Sequence, residues 1–102
     1  MKLNKLVKSK IKGIKVSNMV TSSGRAAPNQ FEITIPGVGT GFQSYSTLIA
    51  IKLIPSGKVI LDNNRWDYSN TTGKYRNQFL GEGIAETKKK IKSGEYTLDE
   101  LN

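Results

Sequence analysis

Two residue types are missing altogether: the 102-residue chain has no cysteine and no histidine. Without cysteine there are no disulfides, no thiolate metal sites and no thiol nucleophile. Without histidine there is no imidazole base and no Ser-His-Asp triad, and zinc loses its usual ligands. Acidic residues are few, eight against sixteen Lys and Arg, and they form no compact cluster that would hold a metal for hydrolysis. No catalytic residue, metal site or cofactor is therefore assigned, and the expectation is a binding protein, not an enzyme. Long apolar runs are also absent. The longest, residues 48–54, is interrupted by Lys52 and is far too short to span a bilayer. The N-terminus lacks the apolar region of a signal peptide, so a cytoplasmic protein is expected.

What the chain does have is positive charge, placed unevenly. Residues 1–25 carry six Lys and one Arg with no acid, whereas residues 26–102 carry nine basic and eight acidic side chains. A field concentrated at one end points to an anionic partner, nucleic acid or a membrane surface, or else to a solubilising tail. Leu3, Leu6, Val7, Ile11 and Ile14 share one arc of a helical wheel, and five of the six Lys of residues 1–16 lie opposite. An alternating, strand-like reading also fits from Lys10 onward. This segment reads as a basic arm along phosphates, a membrane-surface helix or a helix covering a sheet. It has no Trp or Phe to anchor in lipid, so no membrane partner is expected. The expected division is a basic arm or helix over residues 1–16 and a single domain over 17–102, since 102 residues make one modest core.

Within the domain, residues 16–20 form a short strand and residues 21–29 a loop. Residues 30–35 alternate, with Phe31, Ile33 and Ile35 expected inward against Glu32 and Thr34. Residues 36–41, with three Gly, are read as a turn, because their spacing fits neither a P-loop nor a dinucleotide fingerprint. Residues 42–54 read as two strands or one bent one. Residues 54–58 make a hairpin turn into Val59-Ile60-Leu61. A helix is expected over 84–92, stopped by Gly94, and residues 97–100 have the spacing of a capping box worth at most one turn. The fold class is α+β: an antiparallel sheet of about four to five strands, two short C-terminal helices and a Lys-rich N-terminal element.

The stretch 65–82 concentrates the functional candidates. It holds the lone Trp, two of the four Tyr and three cations. Thr71 or Thr72 is placed to cap a helix running to about Leu80, with Gly81 as its left-handed end. Trp66 and Phe79 read as plugs between helix and sheet, and Trp66 has a contact role as its alternative. Lys74, Arg76 and Arg65 are the expected ligand cations. Tyr75, Tyr68, Thr71, Thr72 and Asn77 complete the site, since cations beside aromatics suit phosphates and bases. Lys74 and Arg76 lie about 200° apart around a helix, so only the helix start, with its free N–H groups, lets both approach one phosphate. Arg76 then reaches round or pairs with Asp67.

The motif of residues 66–69, 71–77 and 79–82 (Trp-Asp-Tyr-Ser, Thr-Thr-Gly-Lys-Tyr-Arg-Asn, Phe-Leu-Gly-Glu) resembles one shared by small bacteriophage proteins without an assigned activity. As in those proteins, Asn29-Gln30-Phe31 and Phe42-Gln43-Ser44-Tyr45 precede it, and a Lys-Ser-Gly-Glu-Tyr segment, residues 92–96, follows. The likeness covers about residues 28–102. It implies a phage product acting inside an infected bacterium. By analogy, such accessory proteins handle nucleic acid or disable host defences. The leading expectation is nucleic-acid binding through phosphate contacts. Its rivals are counter-defence inhibition of a host protein and a pocket that sequesters a nucleotide signal. A sheet of this size with an uncovered edge also makes a homodimer a candidate assembly.

Overall fold

The structure, a computed structural model, describes residues 13–102. What was expected of the first twelve residues lies outside them. Six strands form one sheet in chain order: β1 (Lys15–Val20), β2 (Ala26–Ile35), β3 (Gly39–Ser44), β4 (Thr47–Leu53), β5 (Val59–Asp62) and β6 (Tyr96–Asp99). Two helices, α1 (Asn70–Leu80) and α2 (Ile84–Ser93), lie between β5 and β6. Strands β1 to β5 are antiparallel neighbours joined by short turns, and β6 runs parallel to β5. A parallel neighbour cannot be reached by a hairpin, and residues 63–95 with both helices are the crossover that geometry demands. The fold is thus the expected α+β, with two helices and one or two more strands than expected.

Four local expectations are corrected. The arm does not extend to residue 16, because Lys15 and Val16 already pair with Thr34 and Ile33 in the sheet. Strand β2 begins at Ala26, not Gln30. The register between β1 and β2 shifts between Asn18 and Val20, and the Asn18 amide donates to the carbonyls of Ala27 (2.7 Å) and Gln30 (3.3 Å), tying off the extra length. The glycine-rich turn is confined to residues 36–38, and Gly39 and Gly41 belong to β3. At Gly39 (φ 153) a Cβ would run into the backbone carbonyl of Lys52 on β4, so strand pairing itself requires glycine there. Residues 97–100 are not a helical turn: Thr97, Leu98 and Asp99 pair with Ile60, Leu61 and Asp62.

The alternation in β2 is real, but its direction is the reverse of the one expected. Glu32 pairs across with Phe42, Phe42 with Ala50 and Ala50 with Leu61, and Phe42 meets Phe79 of α1 with ring centroids 5.9 Å apart. Phe31, Ile33 and Ile35 therefore lie on the opposite face from the helices. The physical reason is coverage. Helix α1 packs on β3 and β4 and α2 against β6. On β1 and β2 only Met19, Ala27 and Gln30 are buried, while Lys15, Ser17 and Thr34 meet solvent and Glu32 is half-buried. The core between helices and sheet holds Phe42, Ile49, Ala50, Val59 and Leu61 with Tyr75, Phe79 and Tyr96.

Candidate functional site

Helix α1 and the loop before it place every residue of the expected site. Ser69, in extended conformation, caps the helix by accepting from the Thr72 N–H at 3.1 Å. Neither expected threonine is the cap. Thr71 is exposed in the first turn, and Thr72 turns its hydroxyl inward, 3.1 Å from Ser44 Oγ, where both are buried. The helix ends where the sequence suggested, at Leu80, with Gly81 left-handed at φ 70.

Arg76 also turns inward. It is 1% exposed, and its Nη1 donates to the Trp66 carbonyl (2.8 Å) and to Asp67 Oδ1 (2.9 Å). Its Nη2 donates to Asn77 Oδ1 at 2.9 Å, and the guanidinium lies 5.3 Å from the centre of the Trp66 ring. Of its two expected courses the pairing with Asp67 is the one taken. The side chain binds the loop of residues 63–69 to the helix and is spent there as a ligand cation. Trp66 is half-buried, packed against the core edge, and is less of a plug than Phe79, which is buried. Tyr75 is buried as well. Of the eight expected residues, then, Thr72, Tyr75 and Arg76 are internal, Asn77 is half-buried on Arg76, and Lys74, Thr71, Arg65 and Tyr68 face solvent.

Those four stand at one end of the sheet. There β3 and β5 end and β4 begins, and the Ser44–Thr72 contact sets the first turn of α1 beside the turn at Tyr45 and Ser46. The sequence places Tyr45 within residues 42–54, two strands or one bent one. It is left-handed (φ 56), its N–H donates to the Asn29 carbonyl at 2.6 Å, and its ring is 55% exposed. The polar run around it, residues 43–47, is the signal that marks a turn between two strands. Tyr68, 50% exposed, precedes the Ser69 cap. The Lys74 ammonium lies 5.4 Å from the Tyr75 ring centre, and the Arg65 side chain, 47% exposed, is 4.0 Å from Asp62.

Two buried carboxylates hold this frame. Asp62 is 1% exposed and accepts from the N–H groups of Leu101 (2.9 Å) and Asn64 (3.2 Å) and from the Asn102 amide (3.1 Å). Burial opposes its ionisation, and these donors outweigh burial and hold the carboxyl below its ordinary value. Asn102 also pairs with both backbone groups of Leu48, so the C-terminal tail clasps the start of β4. At the other end of α1, Glu82 accepts from Thr87 Oγ1 (2.6 Å), Lys90 Nζ (2.7 Å) and Tyr96 Oη (2.8 Å). Burial again opposes ionisation, but the three donors lower this carboxyl, while burial and the contact with Glu82 raise the Tyr96 phenol. Glu82 thereby links α1, α2 and β6, a bracing role. Among the described residues no group of three or more Asp or Glu is placed to hold a metal ion.

The profile of a family of unknown function, DUF8033, matches residues 14–97, most of the chain. The chain belongs to DUF8033. The matched residues include every candidate side chain named above, while the Lys-rich start precedes them. No curated protein and no solved structure matches this DUF8033 chain.

Proposed function

We propose that this DUF8033 protein is a non-enzymatic nucleic-acid-binding protein that works in the cytoplasm of an infected bacterium. The observation that carries the reading is that Tyr45, Tyr68, Arg65 and Lys74 are all exposed on segments that converge at one end of the sheet. These segments are the turn after β3, the loop after β5 and the start of α1. Exposed rings give bases a stacking surface, and neighbouring cations hold the backbone phosphates, the combination that single strands require. The lysines of the N-terminal segment add affinity that is independent of sequence. A second reading, inhibition of a host protein, draws on the same tyrosines, because exposed Tyr beside Arg is the composition of an interface hot spot.

Titration of a labelled single-stranded oligonucleotide at several salt concentrations tests the proposal. Lys74→Ala should weaken binding to every sequence alike and reduce the salt slope by about one unit. Tyr68→Ala or Tyr45→Ala should cost about 1–3 kcal/mol of binding with the slope unchanged. Absence of binding by the wild type at low salt would remove the reading and leave the inhibitor in its place.

A further inference from the structure

Helix α2 carries charge of one sign along one flank. Ala85, Lys88, Lys89 and Lys92 fall within an arc of about 100° around its axis, and all four are exposed. Ile84, Thr87 and Ile91 turn to the core, where Thr87 is buried. Lys90 shares the remaining flank with Glu86 and is taken up by Glu82 at 2.7 Å, with Glu95 at 3.9 Å. Lys88, Lys89 and Lys92 form no ion pair among the described residues. The helix dipole favours cations in the last turn only, which accounts for Lys90 and Lys92 but not for Lys88 and Lys89. Lysines four apart, as Lys88 and Lys92 are, also repel each other. A helix face that meets nothing but water commonly mixes its signs, and this one does not.

This flank belongs to the end of the sheet opposite Tyr45 and Tyr68. Lys52, near the end of β4, donates to the Phe79 carbonyl at 2.7 Å and pairs with Val59 at the start of β5. Val59 in turn pairs with Tyr96 at the start of β6, and the Tyr96 hydroxyl and Lys90 meet on Glu82, which ties α2 to this end. The seven residues of β4, about 23 Å of strand, separate the two ends, and α1 between them contains no acidic residue. We propose that Lys88, Lys89 and Lys92 form a second phosphate-contact surface for nucleic acid, so that a bound strand touches the protein at both ends of the sheet. Cations along one helix flank attract a phosphate backbone whatever its sequence, and no aromatic side chain stands among them to read bases. A protein partner would need an apolar anchor at the centre of the patch, and Ala85 is too small to be one. The second surface rests on the nucleic-acid reading above and extends it.

The full chain is titrated at several salt concentrations with a labelled single-stranded oligonucleotide long enough to span the sheet. The double variant Lys88→Gln, Lys89→Gln should weaken binding to every sequence alike and reduce the salt slope by about 1.4 units, the share of two phosphate contacts on a single strand. Lys15→Gln, which removes one exposed charge from the outer strand β1, should leave the slope unchanged. A fall for Lys15→Gln as large per charge would mean a diffuse field and would overturn the proposal. In a second measurement, bound oligonucleotide should shield Lys88, Lys89 and Lys92 of the wild type from acetylation, read by mass spectrometry. Equal labelling with and without the oligonucleotide overturns the proposal. If the wild type binds and the double variant keeps its slope, the α2 surface is removed and the reading of the tyrosine end stands. If the wild type does not bind even at low salt, both are removed.

Discussion

Arg76 and Lys74 show how two cations, two residues apart, divide between structure and surface. Arg76 is enclosed by the Trp66 carbonyl and ring, Asp67 and Asn77. Arg76→Ala is expected to cost about 2–5 kcal/mol, from the lost charged hydrogen bonds and the cavity left behind. Arg76→Lys should recover little of that, because an ammonium cannot reproduce the planar fork. Urea denaturation measures both, and a wild-type midpoint for Arg76→Ala would show that the guanidinium is not a structural tie. Lys74→Ala should leave the same midpoint unmoved and act on binding alone. Phe79→Ala, with the ring against Phe42, should cost about 3–5 kcal/mol and exceed the loss at half-buried Trp66. The pairing of Arg76 with Asp67 was one of two courses open to it in the sequence, but its full burial was not legible from residue type. Arg76 sits in a polar run, and its burial follows only once residues 63–69 fold back over the helix.

At the scale of elements, helix ends were readable and their caps less so. Gly81 and Gly94 are both left-handed ends, as glycine after an apolar stripe implies. The N-cap fell one hydroxyl earlier than expected, at Ser69, because Thr72 is drawn to Ser44 on β3. Ser69→Ala should therefore lower stability by about 1 kcal/mol through the helix end. Thr72→Val should lower it by a similar about 1 kcal/mol, through the buried hydroxyl pair. The two are separable by helix-signal melting: only Ser69→Ala should fray the first turn of α1. Gly39→Ala should be far worse than either, since its Cβ meets the Lys52 carbonyl and disrupts β3–β4 pairing. Normal expression and melting of Gly39→Ala would refute that account.

For the molecule as a whole, the two buried carboxylates set the acid limit. Asp62 and Glu82 are held below their ordinary values, so the stability that they contribute is fully present above the unfolded carboxyl range, about pH 4. It is lost as pH falls through their lowered native values. Thermal melts between neutral and strongly acidic pH should thus show a steep acid limb. Glu82→Gln should be less stable than the wild type at neutral pH, with the difference shrinking as the solution is acidified. A constant difference across that range would mean that the Glu82 charge is not what Thr87, Lys90 and Tyr96 hold.

Strand and turn order, the hairpin over residues 48–61, the helix ends and the α+β class all follow from local chemistry: alternation, glycine and proline at turns, and stripes at helical spacing. These are properties of a few neighbouring residues, so a linear reading contains them. Packing alone decided which face of β2 met the helices, why Gln30, Thr72 and Arg76 are buried and Phe31 is not, and that β6 joins the sheet parallel to β5. Periodicity says that two faces differ, but not what lies against each. That depends on how far α1 and α2 reach across the sheet. Gln78 of α1 reaches the Val20 carbonyl and Met19, Ala27 and Gln30 are buried, whereas Lys15, Ser17 and Thr34 are left exposed.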